Sequence, residues 1–197
     1  MTVLLCDVGG VLIENPWIET ARAMGTQHGK EEAVVFEALT RLSRELDGGR
    51  LSLAEFHGRV CAELGLHVEF SAFKRALESS LKKVPSVWGA VDSLRRERGA
   101  RVVALSNMSR EVWKSLQERF DIGSLFSSEV LSFELGILKP DPAIYIEAVK
   151  RADAQPGACL FVDDIVENIE AARALGIKAY LARRPEDTAS FLRSALD

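Results

Sequence analysis

The chain is expected to adopt an α/β fold: a central parallel sheet flanked by helices, with a small helical bundle inserted after the first strand. Three observations carry this. Short apolar runs alternate with helical stripes from about residue 85 to the C-terminus, the rhythm of β-α units with a sheet covered on both faces. The stretch from Pro16 to about Lys83 contains no convincing strand. At 197 residues, 47% hydrophobic and 27% charged, the chain suffices for one substantial core with a small appended module.

The elements follow in order. Val3-Leu4-Leu5-Cys6 is a short apolar run and the first strand. Val35, Leu39, Leu42 and Leu46 recur at helical spacing and stop at Gly48-Gly49, a helix ending in the residue that best tolerates a left-handed cap. Ser52 and Glu55 have capping-box spacing ahead of the stripe Phe56, Val60, Leu64. Phe70, Phe73, Leu77 and Leu81 form another stripe. The block therefore holds three or four helices.

Beyond Pro85, a helix from about Val87 to Glu97 is closed by Gly99, and Val102 to Leu105 is a strand. Ser109 caps a helix bearing Val112, Leu116 and Phe120, and Leu125 to Leu131 contains a strand. Asp141-Pro142 suits the cap and first position of a helix reaching about Arg151. Cys159 to Val162 is a strand, and Ile165, Ile169, Ala172 and Leu175 mark a helix closed by Gly176. Ala179 to Leu181 is the last strand, with a terminal helix after Pro185.

Composition narrows the function. Net charge is −4 and no basic run stands out, so nucleic-acid binding has no support. No apolar run approaches ~18 residues, which leaves no candidate membrane span. Cys6, Cys61 and Cys159 are scattered and odd in number, fitting buried small hydrophobes in a reducing compartment rather than a disulfide framework or zinc site. A soluble cytoplasmic protein is expected. No feature of the sequence fixes its oligomeric state.

Four stations carry the chemistry. Asp7 ends the first strand and precedes Val8-Gly9-Gly10-Val11, so one carboxylate meets a turn whose backbone can approach a ligand. Ser106-Asn107 ends the second strand before a helix start, a place suited to a phosphate oxygen. Lys139 lies in a segment stiffened by Pro140 and Pro142, and its ammonium is expected to keep Asp7 ionised. Asp163-Asp164 ends a further strand, and with Asp7 makes an oxygen-rich site suited to Mg2+. Asn168, one helical turn onward, is expected to orient Asp164. Singly, each station has a blander reading: a strand-end cap, a helix cap, a solvated lysine, an acidic loop. In sheets of this kind ligands bind beyond the carboxyl ends of the strands, so the four should converge on one rim, with the helical block above it.

Together these residues resemble the haloacid dehalogenase superfamily, whose members are mostly phosphatases. The resemblance covers essentially the whole chain. Leu105-Ser106-Asn107-Met108-Ser109-Arg110, Leu135-Gly136-Ile137-Leu138-Lys139-Pro140 and Phe161-Val162-Asp163-Asp164-Ile165-Val166-Glu167-Asn168 look like the branch of alpha-D-glucose-1-phosphate phosphatase and the N-terminal domain of soluble epoxide hydrolase. The resemblance implies a Rossmann-like core of residues 1–14 and 85–197, a C1-type helical cap of residues 15–84, and the strand order 5-4-1-2-3. It implies Asp7 as nucleophile, and magnesium on Asp7, the Gly9 carbonyl and Asp164, with Asp163 direct or through water. Ser106 and Lys139 would hold the phosphoryl group, and the backbone N–H groups at Gly9, Gly10 and Asn107 are expected to add contacts to its oxygens.

The departure is Gly9. Most phosphatases of the superfamily carry Asp there as general acid and base, a role typically worth ~10²–10⁴ in rate. The function expected is a magnesium-dependent phosphatase acting on a small phosphorylated metabolite, sugar phosphates among the candidates. Two alternatives are a metal-independent 2-haloacid dehalogenase-type hydrolase, which adjacent Asp163 and Asp164 disfavour, and a non-catalytic phosphometabolite-binding protein. Trp17, Arg22 and His28 are candidate leaving-group contacts from the cap.

Overall fold

The computed structural model describes residues 3–195; residues 1–2 and 196–197 of the expected core lie outside the described residues. Strand β1 (Val3–Cys6) is followed by four helices, α1 (Pro16–His28), α2 (Glu32–Asp47), α3 (Leu53–Leu64) and α4 (Phe70–Ser80). Alternation then sets in: α5 (Pro85–Arg98), β2 (Arg101–Ser106), α6 (Arg110–Phe120), β3 (Ser128–Leu131), α7 (Ser132–Leu135), α8 (Pro142–Arg151), β4 (Cys159–Asp163), α9 (Val166–Ala174), β5 (Lys178–Leu181) and α10 (Pro185–Ala195).

The five strands form one parallel sheet in the order β3-β2-β1-β4-β5, the order the sequence resemblance implies. β1 is central because every residue of its apolar run is buried on one face or the other. Leu4 and Cys6 pack into the core shared with α5, α10 and the inserted helices, while Val3 and Leu5 face the core of α8 and α9, the period-2 alternation of a strand. The edge strands β3 and β5 are only partly buried.

The anticipated caps are present. Ser52 accepts the Glu55 N–H at 3.3 Å while the Glu55 carboxylate accepts the Ser52 N–H at 2.8 Å. Ser109 accepts from Val112 N–H, and Asp141 from Ala143 N–H at 2.9 Å. Asn15 caps α1, with Pro16 at its first position. The strand expected within Leu125 to Leu131 begins at Ser128, Leu125 lying in a preceding 3₁₀ turn.

Registers place the site. Cys6 lies opposite Ala104 and Val162, and the Asp7 N–H continues the ladder to the Val162 carbonyl at 3.0 Å. The carboxyl ends of β1, β2 and β4 therefore deliver Asp7, Ser106 and Asp163 to one rim.

Candidate active site at the carboxyl ends of the strands

Asp7 is buried, and its Oδ1 is crowded with donors. Ser106 Oγ donates to it at 2.8 Å, Val8 N–H at 2.7 Å, and Lys139 Nζ lies at 2.9 Å. The Lys139 ammonium also reaches Asp163 Oδ2 at 2.6 Å and lies 5.5 Å from the centre of the Phe161 ring. A cation so deeply buried survives because two carboxylates hold it: burial alone would lower its proton affinity, but Asp163 and Asp7 raise it above the ordinary lysine range.

Lys139 is positioned by its backbone. Asn107 Oδ1 accepts the Lys139 N–H at 2.8 Å, and Asn107 Nδ2 donates to the Lys139 carbonyl at 3.0 Å. Both ends of the Asn107 amide thus clamp the lysine segment, with one Nδ2 hydrogen left over.

Asp163 is fully enclosed and accepts from Lys139, from Ile165 N–H at 2.7 Å, and from Asn168 Nδ2 at 3.0 Å to each carboxylate oxygen. This corrects one expectation: Asn168 orients Asp163, not Asp164. Sequence spacing put Asn168 one turn past both aspartates; β4 turns the Asp163 side chain inward, where Asn168 is buried. The Asn168 carbonyl in turn accepts the Tyr145 hydroxyl at 3.1 Å.

Asp164 leans over the turn after β1. Gly10 has φ +77°, and a Cβ there would come within 2.1 Å of Asp164 Oδ2, so only glycine fits beneath this carboxylate. Gly9 differs: a Cβ there would meet nothing within 4 Å.

Asp7, Asp163 and Asp164 each present a ligand oxygen, all within 4.8 Å of one another. Three carboxylates surround one ammonium, and the surplus negative charge is felt. Burial, followed by the Asp163 and Asp164 charges, pushes the Asp7 carboxyl well above the usual range despite the pull of Lys139. Asp164 is raised by burial and by Asp163. Burial and the neighbouring carboxylates thus oppose the ionisation of Asp7 that Lys139 favours, and a further cation beside the cluster would relieve them. Clustered carboxylate oxygens with the main chain of Gly9 beside them fit Mg2+, which prefers hard oxygen ligands and retains water.

Above the cluster lies a cavity of about 600 Å³ that reaches Asp7, Gly9, Asn107, Lys139 and Asp164 at its floor. Its far wall is a face of α2, with Phe36, Thr40, Ser43, Arg44 and Asp47, together with Trp17 of α1. Of the three inserted-helix candidates, Trp17 lines the cavity and packs its ring 5.3 Å from that of Phe56. Arg22 instead pairs with Glu19 and Glu32 outside it, and His28 is exposed at the end of α1. The α2 lining lies outside the sequence expectations although it has a signal: Phe36, Thr40, Ser43 and Asp47 repeat at i, i+4, i+7 and i+11, one step from the apolar stripe Val35, Leu39, Leu42, Leu46.

The comparisons agree with this geometry. The family model described as haloacid dehalogenase-like hydrolase matches residues 1–176. "Phosphorylated carbohydrates phosphatase" of Thermotoga maritima is 30% identical over 189 residues, 90% of this chain and 83% of that one. "Phosphatase MT3486" of Mycobacterium tuberculosis is 28% identical over 92% of this chain and 70% of its own length. "Acyl-CoA dehydrogenase family member 10" of Mus musculus is 28% identical over 98% of this chain, which spans only 19% of that protein. Among solved structures, the HAD family enzyme bt-2542 of Bacteroides thetaiotaomicron is 27% identical with a TM-score of 0.80, covering 98% of this chain and 99% of that one. Its wild-type complex with magnesium and inorganic phosphate matches at 27% identity and a TM-score of 0.71, over 92% and 93% of the two chains. The central Asp7 strand, the rim of aspartates and the match across residues 1–176 lead to one assignment: the chain belongs to the haloacid dehalogenase-like hydrolases.

Proposed function

We propose that this hydrolase is a magnesium-dependent phosphatase that cleaves a small phosphorylated metabolite through an aspartyl-phosphate intermediate, a sugar phosphate being one candidate. The observation that carries the reading is the placement of Asp7 between Ser106 and Lys139 at the floor of a cavity, beside a three-carboxylate cluster. A carboxylate nucleophile splits one hard displacement at phosphorus into two easier ones.

In this reading Asp7 attacks phosphorus. Lys139, Ser106 and the main chain of Gly9, Gly10 and Asn107 hold the phosphoryl oxygens where charge develops. Asp7, the Gly9 carbonyl and Asp164 would hold Mg2+, with Asp163 direct or through water. Magnesium, when bound, supplies the positive charge that the carboxylate cluster lacks. Asn168 fixes Asp163, and Asp163 fixes Lys139. Helices α1–α4 act as a cap over the core of residues 1–14 and 85–197. The sugar-phosphate candidate is supported by the carbohydrate-phosphate phosphatase of Thermotoga maritima, and the metal by the magnesium and phosphate complex of the Bacteroides enzyme. Three unpaired cysteines, with no described helix long and apolar enough to cross a membrane, suit a cytoplasmic protein.

The test is phosphate release from p-nitrophenyl phosphate and a panel of sugar phosphates, with magnesium or with EDTA. Turnover should require magnesium and vanish in Asp7→Asn. If folded, magnesium-binding protein releases no phosphate from any ester, or if Asp7→Asn retains the wild-type rate, the proposal fails.

A further inference from the structure

An alkyl phosphate leaves poorly as an alkoxide, and the position that would protonate it is Gly9, which has no side chain. We propose that Asp47, at the C-terminal end of α2, protonates the leaving oxygen and later accepts the proton of the attacking water; this rests on the phosphatase reading above.

Placement is the first argument. Asp47 lines the same cavity as Asp7, Gly9 and Lys139. Its backbone is tied to the two segments that build the phosphate floor. Ser132 Oγ donates to the Asp47 carbonyl at 2.5 Å and accepts the Met108 N–H at 2.9 Å, and Met108 is two residues past Ser106. The following Gly48 and Gly49 lie against the lysine segment and its approach: a Cβ at Gly48 would come within 3.3 Å of Leu138 Cδ1, next to Lys139, and one at Gly49 within 2.7 Å of the Phe133 carbonyl. The end of α2 is therefore held against the core rather than swinging free.

Protonation state is the second argument. Burial pushes the Asp47 carboxyl up to about 7, against the pull of Ser43 and Arg44. The Ser43 hydroxyl donates to the Thr40 carbonyl at 2.9 Å, so its one proton is shared between that carbonyl and any pull on Asp47. Arg44, on the same helix, is exposed and screened by solvent. Glu37 and Arg41 lie further along that helix, Arg41 paired with Glu63. Ser132, Met108 and Leu138, packed against the helix end, are not ionisable; Lys139, Asp7 and Asp164 face it across the cavity. A carboxyl poised near neutrality suits both halves of a proton relay.

The step balances. The Asp7 oxygen bonds to phosphorus, the P–O bond to the leaving group breaks, and the Asp47 proton passes to that oxygen, giving the free alcohol. Water then attacks the aspartyl phosphate, its proton returns to Asp47, and the bond from phosphorus to Asp7 breaks, giving inorganic phosphate.

The experiment compares wild type with Asp47→Asn, which keeps the backbone carbonyl used by Ser132, on p-nitrophenyl phosphate and on the alkyl phosphates of the panel. p-Nitrophenol leaves as a stable anion and needs no proton. Asp47→Asn should lose ~10²–10³ in kcat on alkyl esters while retaining a burst of p-nitrophenol, with slowed steady-state turnover because water attack lacks its base. Gly9→Asp, installed in the Asp47→Asn background, should restore alkyl-ester turnover, since the space beside Gly9 is open. Loss of the p-nitrophenol burst along with alkyl-ester turnover, no loss on alkyl esters, or a wild type that turns over p-nitrophenyl phosphate but no alkyl ester would each overturn the assignment. A wild type with neither burst nor phosphate release sinks the phosphatase reading itself, and this proposal with it.

Discussion

Lys139 illustrates how much of the site is decided by single side chains. It is 2.9 Å from Asp7 and 2.6 Å from Asp163, with almost no solvent contact. Taking such a charge out of water is costly and is offset only while both partners stay. Lys139→Met should therefore destabilise the fold by about 3–5 kcal/mol in magnesium-free buffer, read by urea unfolding, because two buried carboxylates lose their counter-charge. A loss below about 1 kcal/mol would mean the pair behaves like an exposed bridge. The residue scale is also where local sequence misled. Asp163 and Asp164 are identical neighbours in the chain, yet one is enclosed with Lys139 and Asn168 while the other leans over Gly10.

Among the elements, α2 joins fold to chemistry. One stripe (Val35, Leu39, Leu46) is buried in the core, and an adjacent stripe lines the cavity. Sixteen residues at 1.5 Å rise make it about 24 Å long, enough to wall the cavity from Phe36 to Asp47. Its C-terminal end is held by Ser132, fully buried between the Met108 N–H and the Asp47 carbonyl. Ser132→Ala leaves two backbone groups short of a partner and should cost about 1–3 kcal/mol. Urea denaturation of the variant checks this, and an unchanged midpoint would show that water replaces the hydroxyl. The two elements that sequence periodicity did not reveal have plain reasons. α1 buries Thr20, Ala21, Met24 and Gly25, a face with one large apolar side chain and therefore no aliphatic stripe to read. α7 has four residues, too few to show one.

For the molecule as a whole, buried acids tie stability to pH. The folded state raises Asp47 from 3.8 to about 7, so it binds a proton more readily than the unfolded chain. Stability from this group is fully present below pH 3.8 and is lost as pH rises through about 7. In magnesium-free buffer the wild type should lose stability between pH 5 and pH 9, and Asp47→Asn should lose less over the same range, followed by urea midpoints at each pH. Asp7 shifts in the same direction, so the variant retains part of the slope. Parallel slopes in the two proteins would show that Asp47 stays solvated and ionised in the fold.

The sequence by itself determined the five strands, nearly all the helices, their caps, and the four stations Asp7, Ser106, Lys139 and Asp163-Asp164. These are local properties: apolar runs and periods encode which faces are buried, and caps are set within three or four residues. Only the tertiary structure decided which atoms meet. Ser106 and Asp7 are 99 residues apart and Lys139 and Asp163 are 24 apart. Their hydrogen bonds follow from strand order and register, which no local pattern encodes. The same holds for Asn107 spent on the Lys139 backbone, Asn168 turned to Asp163, and Asp47 brought from the inserted helices to the cavity wall. A partner in space is chosen by the whole packing of the chain, whereas the tendency to be buried, or to cap a helix, is carried by a residue and its nearest neighbours.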